Sequence, residues 1–88
     1  MRIKKGYVLK PVGDTAVVVA VGKEAENFKG IITLNETALV LWNALQSGAD
    51  IEGMKKALTD VYDVSDEKAT DSAQKFVAKL IEAGVVEE

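Results

Sequence analysis

The chain has 88 residues, 48% of them apolar and 28% charged, the composition of a globule with one modest core rather than of a disordered tail. It contains no cysteine and no histidine, which removes thiol catalysis, disulfides, the usual zinc sites and imidazole acid–base chemistry together. The formal net charge of −3 is unevenly placed: residues 1–34 carry six Lys/Arg against three Asp/Glu, and residues 35–88 carry five against eleven, a balance that argues against a nucleic-acid surface.

In chain order the pattern is strand-like up to Leu34 and helical after it. Tyr7–Val12 reads as a first strand with Pro11 inside it, and Gly13-Asp14 as a two-residue hairpin turn with glycine first, as a II′ turn prefers. Thr15–Val21 is the second strand; its six consecutive apolar residues, Ala16 to Val21, predict a strand covered on both faces. Gly22–Lys29 is a polar loop in which Phe28 is a candidate partial lid, and Gly30–Leu34 is a short third strand.

Asn35 caps a first helix over Glu36–Gln46, with Ala38, Leu41, Trp42 and Leu45 on its apolar stripe, and Gly48 stops it. Asp50 caps a second helix that buries Ile51, Met54, Leu58, Val61 and Tyr62. Ser65 caps a third, with a core stripe of Ala69, Ala73, Phe76, Val77, Leu80 and Ile81, ended by Gly84. Val85-Val86 is expected to pack back as a short extended tail. The fold class is therefore α+β: a three-stranded antiparallel sheet followed by three helices, in an arrangement like a winged helix-turn-helix. One domain spanning residues 1–88 is expected.

No catalytic constellation is present. Gly13, Gly22 and Gly30 match neither the dinucleotide nor the P-loop spacing, and the scattered acids match no EF-hand. No enzyme activity, cofactor or metal is expected. The longest apolar run is too short for a membrane span, and the basic Met1–Gly6 does not lead into a signal-type stretch; a cytoplasmic location without membrane or nucleic-acid partners is expected.

Two features are candidates for binding. In a three-strand meander the outer strands are edges, and Pro11 blunts the first. The third, Gly30-Ile31-Ile32-Thr33, carries neither proline nor charge and is a template for a partner strand. Proline at Ile32 is expected to abolish such pairing by removing a ladder donor, with destabilisation of the domain itself as the other expected effect. On the third helix Lys68, Ser72, Lys75 and Lys79 share one narrow face. Helix ion pairs such as Asp71 with Lys75 are the plain reading of that face; a basic wall for an acidic peptide is the functional one.

The segment Gly30-Ile31-Ile32-Thr33-Leu34-Asn35-Glu36-Thr37-Ala38, continuing through Leu41-Trp42 to Ser47-Gly48, Val61-Tyr62-Asp63-Val64 and Leu80-Ile81-Glu82-Ala83-Gly84-Val85-Val86, resembles the PqqD family, named for coenzyme PQQ synthesis protein D. The Leu34–Ala38 form is closer to the broad PqqD-like group than to members dedicated to the PQQ pathway, which leaves the substrate peptide open. The resemblance implies a recognition element for ribosomally made, post-translationally modified peptides. Such a domain binds the leader segment of the precursor along the third strand and the third helix, beside a modifying enzyme, often a radical SAM enzyme. By position the contact residues are Gly30, Ile31, Ile32, Thr33 and Leu34, with Ser72, Lys75, Phe76 and Lys79 placed opposite by helical phase. The alternatives are a DNA-binding winged helix and an oligomerisation module, a homodimer formed through the third-strand edge.

Overall fold

The computed structural model describes residues 2–22 and 31–87. The elements are β1 (Arg2–Ile3), β2 (Tyr7–Val12), β3 (Thr15–Ala20), β4 (Ile31–Leu34), α1 (Glu36–Gln46), α2 (Ile51–Val61), α3 (Asp66–Glu82) and β5 (Val86–Glu87). β2, β3 and β4 form an antiparallel sheet in that order, so β3 is central. The expected meander and three helices are present. Most of the expected Gly22–Lys29 loop, including Phe28, and Gly30 lie outside the described residues.

The turn between β2 and β3 is set by Gly13. Its φ of 61° is open to glycine at no steric cost, while Asp14, like every described non-glycine residue, has no positive φ; this is the II′ pattern. α1 and α3 each end in a Schellman motif. At α3 the Val85 N–H donates to the Leu80 carbonyl (2.9 Å) and the Gly84 N–H to that of Ile81 (3.0 Å), with Gly84 at φ 80°. The same pair of bonds closes α1 through Gly48 and Ala49.

The predicted caps are in place: Asn35, Asp50 and Ser65 accept from the Ala38, Gly53 and Lys68 N–H groups at 2.8, 2.9 and 3.1 Å. Ser65 is exposed and, unlike Asn35, lies outside the groove beside β4, which makes it a clean cap to test. Ser65→Ala is expected to lower stability by about 1 kcal/mol in denaturant unfolding, with an unchanged m-value.

The core lies between one sheet face and the helices. Val18 and Leu34 from the sheet meet Leu41, Trp42, Leu45, Met54, Leu58 and the α3 stripe of Ala69, Ala73, Val77 and Leu80. Two expected core residues are not in it: Val61 is 62% and Ile81 43% exposed. Both sit at the margins of their stripes. On α3 the fully covered Ala69, Ala73 and Leu80 fall within about 40° of one another, while Ile81 falls about 80° or more beyond them.

The second face of β3 is also less covered than its sequence predicts. Val17 and Val19 are half-buried, and Ile31 beside Val19 is 62% exposed. Among the described residues, what shields this face is lateral contact between cross-strand neighbours such as Val8 with Val19. One element was not foreseen. The tail does pack back, with Val85 and Val86 buried, but it does so by pairing β5 with β1 in a separate two-stranded sheet, Ile3 opposite Val86.

Candidate peptide-binding groove

The direction of each backbone group on β4 follows from the ladder. The Val21 N–H donates to the Gly6 carbonyl at 2.7 Å, and the register sets Gly6 opposite Val21, so this is a hydrogen-bonded pair. Such pairs alternate along an antiparallel ladder, which makes Val8–Val19, Lys10–Val17 and Val12–Thr15 hydrogen-bonded as well. The intervening β3 residues Ala16 and Val18 therefore aim their N–H and C=O groups at β4, where their partners are Leu34 and Ile32. Ile31 and Thr33 are left with both backbone groups pointing away from the sheet. Among the described residues they meet no partner. By the same alternation Pro11 sits at an outward position of β2, where its missing N–H costs the sheet nothing.

The expectation for Ile32 is corrected by this geometry. Its N–H belongs to the β3–β4 ladder, so proline there breaks the domain's own sheet. The residues that present an open edge are Ile31 and Thr33.

Beside this edge lies a groove of about 260 Å3 between β4 and α3, lined by Ile32, Thr33, Leu34, Phe76, Lys79 and Leu80, with Thr15, Asn35 and Ala38 closing its end. The structure thus brings together Ile32, Thr33, Leu34, Phe76 and Lys79 from the residues read in the sequence. Leu34 is buried and forms the floor; Phe76 is half-buried and Lys79 is exposed at the rim. Ile31 is on the same edge but outside the groove. Lys75 turns away: its ammonium is 3.0 Å from the Asp71 carboxylate, and both side chains are largely exposed. Ser72 lines a separate cavity one turn along α3. Thr15, Asn35, Ala38 and Leu80 also line the groove, although the sequence reading did not place them among the binding residues. Asn35 and Ala38 follow directly on β4 at the start of α1, Thr15 opens the neighbouring strand β3, and Leu80 lies one residue after Lys79 on α3.

The charge in the groove is that of Lys79, which has no ion pair among the described residues. On α2, away from the groove, Glu52 accepts from Lys55 at 2.9 Å and holds its ammonium above the usual lysine range. A broader concavity of about 710 Å3 runs over the first turns of α3, among Asp66, Glu67, Lys68 and Asp71. It is a shallow dip across a solvated, acidic face and gathers no convergent groups. No cluster of three metal-ligating side chains occurs among the described residues, and none of their helices is long and apolar enough to cross a membrane.

The class of protein is thus a small α+β domain of winged helix-turn-helix type, whose β4 edge is unpaired among the described residues and lies beside its last helix. A solved structure described as TbiB1 in complex with the TbiA(beta) leader peptide is similar to this chain with a TM-score of 0.82 and 18% identity, over 99% of this chain and 95% of that one. At that identity the likeness is one of fold. No curated protein matches the sequence. The family model for coenzyme PQQ synthesis protein D matches residues 15–86, and the chain belongs to the PqqD family.

Proposed function

We propose that this chain is a single-domain peptide-capture adaptor without catalytic activity of its own. It binds the leader segment of a ribosomally made precursor as an added strand on β4 and presents it to a modifying enzyme, a radical SAM enzyme being the first candidate. The observation that carries the reading is the pair of outward-facing residues, Ile31 and Thr33, lying directly beside the groove walled by Phe76 and Lys79. A strand set against them exchanges up to four backbone hydrogen bonds that are indifferent to sequence, while its alternate side chains enter the groove, where sequence matters. Family membership supports the reading, as does a similar fold seen with a leader peptide.

The test begins with short peptides selected against the full chain from a displayed random library, their binding measured by calorimetry. Lys79→Glu is expected to weaken an acidic peptide several-fold and to flatten the salt dependence of binding, because Lys79 stands at the groove rim. Lys75→Glu is expected to change affinity by less than about twofold, since this ammonium is held by Asp71 on the exposed side. Equal effects of the two substitutions contradict the groove. Pairing of the same edge with a second copy of the chain is the competing use, and sizing at two concentrations separates a dimer from a monomeric adaptor.

A further inference from the structure

The groove does not end at Leu34. A second cavity, of about 230 Å3, is walled by Leu58, Tyr62 and Val64 from the α2 side and by Ala69 and Ser72 from α3, with Lys68 at its mouth. The two cavities share one side of α3. Along α3, Lys68, Ala69, Ser72, Phe76, Lys79 and Leu80 fall within an arc of about 120°. At the start of α1 the consecutive residues Thr37 and Ala38 line one cavity each. Ser72 and Phe76 are one helical turn apart, about 6 Å along the axis. The lining is mostly apolar, Val64 remains 38% exposed at its edge, and Lys68 has no ion pair among the described residues.

We propose that this second cavity is an anchor subsite for the bound peptide, filled by one aromatic or branched aliphatic side chain, with an acidic peptide residue next to it facing Lys68. The inference rests on strand addition at β4 and extends it past the end of the strand. An apolar cavity of about 150 Å3 already accommodates a benzene ring, so this one is large enough for a single such side chain. The spacing follows from the helix. The midpoints of the two sets of α3 residues are about eight residues apart, roughly 12 Å of axis, which an extended peptide covers in three to four residues. β4 runs toward α1, so an antiparallel peptide leaves the Leu34 end in its N-terminal direction. The substrate class is then a peptide whose apolar anchor precedes its strand-forming segment by three or four residues.

The probe is a library-selected peptide that binds the full chain, compared with the same peptide carrying glycine at the anchor. Ser72→Phe fills the cavity from its own wall. It is expected to weaken the anchored peptide about 10- to 100-fold and leave the glycine peptide unchanged, so that the two substitutions do not add. A second readout needs no variant: methyl resonances of Leu58 and Val64 in the wild-type chain shift with the anchored peptide and stay in place with the glycine peptide. If Ser72→Phe leaves both peptides alike and those methyls do not respond, while proline at Thr33 still abolishes binding, the subsite is overturned and strand addition stands. If proline at Thr33 has no effect on either peptide, both fall together.

Discussion

Thr33→Pro is expected to abolish peptide binding in a chain that still folds. The Thr33 N–H points away from β3, so its removal breaks no hydrogen bond of the domain. The residue before it, Ile32, is already extended, the conformation that a following proline demands. Pro11 occupies the equivalent outward position on β2 of the same sheet, which shows that the fold accepts a proline there. A strand added at β4 suffers three losses at once. It loses a donor worth about 1 kcal/mol, it buries a carbonyl left unpaired at about 1–3 kcal/mol, and it meets the pyrrolidine ring in the plane of pairing. Without counting the ring, the sum is a weakening of about 30-fold or more.

Ile32→Pro provides the contrast. Its N–H serves the ladder to Val18, and its side chain packs against the core, so this variant is expected to lose the sheet and show a lowered melting temperature. A protein in which Ile32→Pro melts normally, or in which Thr33→Pro binds as the wild type does, has its β4 edge assigned the wrong way round. Calorimetry with a selected peptide, alongside thermal unfolding of both variants, decides the matter.

The distinction between residues 32 and 33 marks where the sequence stops being readable. Asn35, Asp50 and Ser65 announce helix starts through local chemistry, and Gly48 and Gly84 announce the ends, so the helices were legible. The Gly13 turn fixes the β2–β3 register in the same local way. The pairing of β3 with β4 is set by tertiary packing of Val18 against Leu34, and no neighbouring residue encodes it. Without that register a bare strand can be seen, but not which of its amides are free. β1 has two residues and no period to detect. Helical phase puts Ser72, Lys75, Phe76 and Lys79 on one side of α3, yet phase does not say what each side chain meets. Asp71, four residues before Lys75, takes that lysine out of the groove, and the meeting of α1, α2 and α3 puts Ser72 in a cavity of its own.

Trp42 is expected to carry the largest single share of stability. It is fully buried on α1 and belongs to the cluster that joins the sheet to all three helices. Trp42→Ala is expected to cost about 3–5 kcal/mol through lost burial and the cavity left behind. A domain of this length has on the order of 4–13 kcal/mol in total, so the variant stands near the edge of folding. The indole brings a liability as well: its Nε1–H is buried without a hydrogen-bond partner among the described residues. Trp42→Phe removes that donor, worth about 1–3 kcal/mol when unsatisfied, while giving up part of the ring. Its cost is therefore expected to be well under half that of alanine. Denaturant midpoints of the two variants measure the balance. A phenylalanine variant as unstable as the alanine one means that the indole is held by something beyond its shape.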